Sequence, residues 1–265
     1  MNSQETQGVN MNAFAKHGVG HLSASTINSF IANPCIALMK IAGYSDPVGA
    51  AAWRGTAIDK AVTKAGLDRN IKLAEVIRDA TSIFDDQHKN SLTVVQEEKI
   101  TKERDKLAQL AEQGMKWIRS LPKPDSVQGK VVFEYPDIPV PMVGYYDLII
   151  GNEVRDMKTS LRRTSTLSHS HERQLSVYWR GTKGKNPWVD YICPTGVSSF
   201  SVENIEHHDR QMQIAAHSLH KLLNISDDIH EILGCFYPDF DNWMMSQTQK
   251  NTANDIWNME GYKND

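Results

Sequence analysis

Gly144-Tyr-Tyr-Asp-Leu-Ile-Ile-Gly-Asn-Glu-Val-Arg-Asp-Met-Lys-Thr159 is the stretch on which the reading of this chain turns. Residues 140–150 and 153–159 have the β-branched and aromatic composition of strands. Gly151-Asn152 between them suits a two-residue hairpin loop, because both residues tolerate positive φ. That loop sets a register in which Ile150 faces Glu153, Ile149 faces Val154, Leu148 faces Arg155 and Asp147 faces Asp156. Two carboxylates facing each other on one side of a sheet, with Cβ atoms about 4.5–5.5 Å apart, are destabilising unless something cationic lies between them. Lys158 shares that face by the period of two, and a hard divalent cation held by carboxylate oxygens and waters completes the neutralisation. Such a cluster suits phosphodiester hydrolysis: a metal binds a phosphate oxygen and a water, and the lysine orients or deprotonates that water. The competing reading is a salt-bridge cluster on an exposed hairpin. Glu97-Glu98-Lys99 has the same acidic-x-Lys form on a predicted helix.

Upstream of this hairpin the pattern is helical. His21–Ile31 offers Ser23 or Ser25 as an N-cap, with Ile27, Phe30 and Ile31 on one face, and Asn33-Pro34 ends it. Residues 49–66 place Trp53, Ala57, Ile58, Ala61, Val62 and Ala65 at three- and four-residue steps, with Asp59 among them. A third helix is predicted over 95–120. Strands are predicted at 130–135, 188–193 and 197–202, and helices at 168–180, 204–223 and 225–233. The order α, βββ, α, ββ, α argues an α/β (α+β) sheet covered by helices.

Composition narrows the function classes. The chain has 265 residues with 29 Lys+Arg against 32 Asp+Glu, net −3, which excludes a surface that binds polyanions everywhere. Residues 154–185 nevertheless hold eight Lys/Arg (Arg155, Lys158, Arg162, Arg163, Arg173, Arg180, Lys183, Lys185) against Asp156 and Glu172, a local +6 where a phosphate backbone could be gripped. Cys35, Cys193 and Cys235 are too few and too scattered for a disulfide framework or a zinc knuckle, which fits a reducing compartment. No apolar run approaches the roughly 18 residues of a membrane span. The first twenty residues read as a flexible lead and 21–265 as one domain: a helical part to about 125, a catalytic sheet with helices over about 130–235, and a C-terminal segment 236–265.

Five separated motifs in this order resemble the PD-(D/E)XK nucleases, in particular their RecB-like and phage-exonuclease branch. Leu22–Cys35 looks like the opening helix with its Pro/Cys element, and Arg54-Gly-Thr-Ala-Ile-Asp59 like the helix motif G-x-x-x-H. Gly144-Tyr-Tyr-Asp147 is similar to G-x-x-D, Asp156-Met-Lys158 to D/E-x-K, and Gln174-Leu-Ser-Val-Tyr178 to Q-x-x-x-Y. The resemblance implies a restriction-endonuclease-like core, a mixed sheet flanked by helices with an extended helical N-terminal half. It implies a Mg²⁺- or Mn²⁺-dependent DNA nuclease of phage or bacterial recombination and repair, in the cytoplasm of a bacterium or an infected host. Asp147, Asp156 and the Met157 carbonyl would ligate metal and Lys158 would position the attacking water. Gln174 and Tyr178 would contact DNA or brace the site, and Arg54, Arg162 and Arg163 would contact DNA. A single-strand annealing or recombination protein is a partner that phage relatives suggest, and oligomerisation stays open.

The chain departs from the family pattern at Asp59, where RecB-like members carry His. Asp59 is either a third metal-proximal carboxylate or the mark of a helix that no longer serves the metal. Glu134 is a further acidic candidate whose facing the register leaves open. An iron-sulfur cluster, as in some relatives, is not expected, because four thiolates are needed and three cysteines exist. An exonuclease is expected, with a catalytically silent nucleic-acid-binding module of the same fold and a restriction-type endonuclease as alternatives. His169, His171, His207 and His208 read as surface residues, for want of metal-ligand spacing. The C-terminal aromatics Phe236, Tyr237, Phe240, Trp243 and Trp257 read as docking the terminus on the core rather than stacking on bases.

Overall fold

The computed structural model describes residues 12–45, 48–91, 95–242 and 245–257. In chain order the elements begin with α1 (Ala13–Lys16), β1 (Leu22–Ser23), α2 (Ala24–Ala32), α3 (Pro34–Ile41), α4 (Ala50–Leu67) and α5 (Leu73–Asn90). Then come α6 (Glu97–Arg104), α7 (Leu107–Ser120), β2 (Ser126–Phe133), β3 (Met142–Ile150), β4 (Glu153–Thr159) and α8 (His169–Gly181). The chain continues through β5 (Asn186–Cys193), β6 (Gly196–Ser201), α9 (Ile205–Leu223), α10 (Ile229–Leu233) and α11 (Gln247–Ile256). The result is a mixed α/β protein with a six-stranded sheet, ordered β1-β3-β4-β5-β6 with β2 beside β3.

The hairpin forms as its sequence dictates. Leu148 pairs with Arg155, Ile149 with Val154 and Ile150 with Glu153. Gly151 takes the positive φ, +56°, that a turn with glycine at its first central position requires. The fourth expected pair, Asp147 with Asp156, is not a ladder partnership, because the Met157 amide donates to the Asp147 carboxylate instead. Beyond the hairpin β4 pairs in parallel with β5, Asp156 beside Val189 and Lys158 beside Tyr191. β6 returns antiparallel to β5.

The contacts gather into two compact units. One comprises Pro47–Phe133 and Val143–Gln211. Its core unites the apolar faces of α4, α5, α6 and α7 with Leu148, Met157 and Ile192 from one face of the sheet. Within that face Asp190 is fully buried and gathers Arg155 Nη1 at 2.9 Å, Trp117 Nε1 at 3.2 Å and Ser199 Oγ at 2.5 Å. The other unit comprises Met1–Asp46, Glu134–Met142 and Met212–Asp265. Leu22 N–H donates to Pro141 O there, and His17 Nε2 lies 3.1 Å from Leu223 O and 3.0 Å from Ser226 O.

Several sequence expectations change. Residues 13–16, placed in a flexible lead, form α1 with Phe14 buried, since an aromatic side chain contributes most when removed from water. The helix expected over 95–120 divides at Asp105-Lys106. Asn33-Pro34 ends α2 but also starts α3, with Asn33 capping and Pro34 in the first turn, where its missing N–H costs nothing. Phe240 is buried and Trp257 Nε1 donates to Phe236 O at 2.9 Å, so these aromatics dock the terminus, whereas Tyr237 is exposed and Trp243 lies outside the described residues. Among the described residues no helix is long and apolar enough to cross a membrane.

Candidate active site

The second face of the sheet carries Asp156 and Lys158 on β4, opposite α8. Lys158 Nζ lies 2.6 Å from Asp156 Oδ2, and Asp156 is almost fully buried. The other carboxylate oxygen, Oδ1, accepts from the Tyr178 hydroxyl at 3.2 Å and from Gln174 Nε2 at 3.4 Å. Gln174 Nε2 also donates to the Tyr178 hydroxyl at 2.6 Å, so the two α8 residues act as one brace, as their i, i+4 spacing allows. Tyr178 is 2% exposed, which leaves it to position Asp156 rather than to meet DNA.

Close approach of α8 to the sheet makes this brace reach. A Cβ on Gly144 would lie 3.1 Å from Tyr178, Val131 and Val177 side chains, tighter than ordinary contact. At Gly181 it would come within 2.4 Å of Val131, so the end of α8 also requires glycine.

Asp59 and Asp147 complete the cluster. Asp59, on α4, receives the Thr63 hydroxyl at 3.3 Å and Gln128 Nε2 at 2.8 Å. Gln128 holds φ +48° in β2, a conformation that L side chains rarely adopt. Burial, and then the Asp156 charge, hold Asp59 above the usual carboxylate range, against the pull of Thr63, Gln128 and Lys158. Burial raises Asp147 well above that range too, helped by Asp156 and Asp59. Burial opposes the Lys158 charge, but Asp156 and Asp147 outweigh it and keep the ammonium above the ordinary lysine value. Lys158 is therefore held as a cation beside Asp156.

Three carboxylates beside one ammonium leave the cluster short of positive charge, and their oxygens are donors that hard divalent cations favour. Among the described residues no group of three or more His, Cys, Asp or Glu side chains is arranged to hold a metal ion. Magnesium asks for less, since it keeps several waters and uses one or two carboxylates together with substrate phosphate. Asp147, Asp156 and Asp59 are the oxygen donors that such an ion would use here.

Other predicted residues fall elsewhere. Arg54 is 7% exposed, paired with Glu103, and donates to Thr159 Oγ1 and O at 3.2 Å each. It braces the end of β4. Glu134 is exposed just past β2 and belongs to the other unit. Met157 sits in β4 with its amide on Asp147, in register with Asp190. Arg162 and Arg163 are exposed in the loop after β4. The local +6 shrinks, because Arg155 pairs with Asp190 and Glu153, and Arg180 with Asp209. Three of those partners, Glu153, Asp190 and Asp209, lie outside the counted window.

Two residues of the cluster escape sequence reasoning. Gln128 reaches Asp59 from a strand 69 positions away, and no motif announces it. His171, read as a surface residue, is half-buried and hydrogen-bonded to the Tyr191 hydroxyl beside Lys158. Burial, then Lys158, lowers its pKa and keeps the imidazole neutral. The i to i−3 spacing from Gln174 on the site face of α8 is the one signal that pointed to it.

No family model and no curated protein matches the chain. Among solved structures, one titled "Crystal structure of SSO0001" is similar at 16% identity, over 64% of this chain and 88% of that one, with a TM-score of 0.33. A likeness of that size carries no argument.

Proposed function

We propose that the chain is a metal-dependent DNA nuclease of the PD-(D/E)XK kind, most simply an exonuclease, that hydrolyses phosphodiesters by in-line attack of water. The observation that carries this reading is the single carboxylate Asp156 held by Lys158, Tyr178 and Gln174, with Asp59 and Asp147 close enough to shift against it. A bound Mg²⁺ would supply a Lewis acid for the phosphate and a more acidic water. Lys158, permanently charged, stabilises charge that develops on the phosphate and fixes the orientation of the water. Asp147 and Asp59, beside Asp156, would supply further carboxylate oxygens to hold the ion. Tyr178 and Gln174 keep the Asp156 carboxylate in one rotamer, and Arg162 and Arg163 supply exposed charge for the phosphate backbone.

The test is degradation of end-labelled linear and circular DNA, single- and double-stranded, in Mg²⁺, Mn²⁺ or EDTA, with Lys158→Ala alongside. Metal-dependent loss of linear substrates alone, abolished by the substitution, supports an exonuclease using this site. Cutting of circles makes it an endonuclease with the same chemistry. Binding without cutting in any metal refutes catalysis and leaves the silent module.

A further inference from the structure

β2 and β3 carry an exposed patch that the hydrolytic chemistry does not use. Along β2, Val131 and Phe133 turn toward α8: a Cβ on Gly181 would meet Val131 at 2.4 Å, and the Arg180 guanidinium lies over the Phe133 ring. Gly144 on β3 faces the same way, against Tyr178 and Val177. Because side chains alternate along a strand, the neighbours Lys130, Val132 and Tyr145 point away from α8. All three are exposed, Val132 to 53% and Tyr145 to 61%. β3 is an interior strand, paired with β1, β2 and β4, so this tyrosine is not exposed for want of a neighbouring strand. The helices α4 to α7 pack on Leu148, three residues further along β3, and leave Tyr145 open. The patch reaches the carboxylates at two points. Tyr145 stands two residues before Asp147, about 7 Å along the strand. Gln128, which donates to Asp59 Oδ2 at 2.8 Å, stands two residues before Lys130.

We infer that Tyr145 is a stacking platform for an unpaired base of the DNA strand being cut, with Val132 extending the apolar surface and Lys130 meeting a neighbouring phosphate. The inference rests on the nuclease reading and names its substrate class: a single strand, or a duplex end whose terminal bases have opened. Every base has a π-face, so stacking on a tyrosine ring holds a nucleotide without regard to sequence. Inside a duplex both faces of a base are already stacked on its neighbours, and only an unpaired base can use the ring. Lys130 supplies the positive charge that the phosphate beside such a base requires. The size of the patch argues against a protein in this place. Two apolar side chains fall far short of the roughly 800 Å² that each partner of a stable protein interface buries. The position next to Asp147 is what a nucleotide bound at the site would use, because the base adjoining the cut phosphate then lies within reach of the ring.

The test measures, by fluorescence anisotropy in Ca²⁺, the affinity of the full chain for labelled oligothymidine, for the same strand carrying abasic sites, and for a blunt duplex. The parent should prefer the intact single strand to the duplex. Tyr145→Ala, at an exposed side chain that folding does not need, should weaken binding of the intact strand about 5- to 150-fold and leave the abasic strand unaffected. Tyr145→Phe should restore the affinity, since the ring and not the hydroxyl makes the contact. Lys130→Ala should weaken the intact and abasic strands alike. An unchanged affinity in Tyr145→Ala, or an equal loss on the abasic strand, would overturn the inference and leave the nuclease reading standing. Binding of the duplex in preference to the single strand would overturn it too. A parent that binds no DNA in any form would sink the nuclease reading itself. If Tyr145→Ala instead splits a dimer in size-exclusion chromatography and keeps its DNA affinity, the patch joins two copies of the chain and the inference falls.

Discussion

Lys158→Met tests the electrostatics of the candidate site without recourse to any activity. Methionine keeps the aliphatic stem and removes the ammonium that lies among the three carboxylates. Lys158 Nζ and Asp156 Oδ2 are 2.6 Å apart, with side chains 29% and 5% exposed. At an effective dielectric near 20, that separation corresponds to an attraction of about 6 kcal/mol, part of which offsets the desolvation of both charges. Removing one member of a buried pair costs about 3–5 kcal/mol. The partial exposure of Lys158 places this one near the lower end, about 3 kcal/mol, because water screens the ammonium. At about 2–4 °C per kcal/mol, the melting temperature in EDTA at neutral pH should fall by about 6–12 °C.

The loss should depend on pH with a definite sign. Lys158 pulls down the pKa values of Asp59 and Asp147, both already raised. Without it they rise further, and the folded state binds protons that the unfolded chain, with ordinary carboxylates, does not. Stability then falls as pH rises through the folded pKa, and is recovered toward the unfolded value near 3.9. The gap between parent and variant should therefore widen from pH 5 to pH 8, and Mg²⁺ should narrow it. Differential scanning fluorimetry across that range reads all three effects. A variant that melts within 2 °C of the parent in EDTA at pH 7.5, or above it, would show that the cluster is not held by this ammonium.

Two other perturbations probe the frame. Asp190→Ala removes the buried carboxylate shared by Arg155, Trp117 and Ser199, and should cost about 2–4 kcal/mol in urea unfolding, because it leaves Arg155 with Glu153 alone and takes the acceptor from two other donors; a cost under 1 kcal/mol would contradict that role. Burial pushes the Cys35 thiol up to about 11, so iodoacetamide at pH 8 should label exposed Cys235 in the native protein and leave Cys35 intact until unfolding, as peptide mass mapping would show; equal labelling of the two would refute it.

What the sequence reveals is what local chemistry decides. The Gly151-Asn152 loop and strand composition settle the β3–β4 register over three pairs, and periodicity settles the apolar face of α4. α5 is not among the predicted helices, although Val76, Ile77, Ala80, Ile83 and Phe84 recur at three- and four-residue steps and pack on the core with α4 and α7. The fourth hairpin pair fails because a side chain, not a backbone carbonyl, takes the Met157 amide, a choice that loop length cannot express. Charge counting along the chain fails at Arg155 and Arg180 for a related reason: their partners are neighbours in space, reached across the sheet or between helices. Gln128 is the extreme case, a strained residue whose purpose is visible only once Asp59 is beside it.

The two motifs that lie thirty residues apart, Gly144-x-x-Asp147 and Gln174-x-x-x-Tyr178, describe one contact. A Cβ on Gly144 would meet Tyr178, Val177 and Val131 at 3.1 Å, tighter than ordinary contact. That closeness lets α8 lie against β3, and it brings the Tyr178 hydroxyl to 3.2 Å from Asp156 Oδ1. Three residues beyond Gly144, Asp147 turns its carboxylate onto the Met157 amide, next to Asp156. A larger residue at 144 would push α8 outward and lengthen the Tyr178 and Gln174 bonds together. Asp156 would then keep Lys158 but lose the two neutral donors that fix its second oxygen. Steric and polar requirements thus converge on a single carboxylate, and this convergence separates the site from a chance cluster of surface charges.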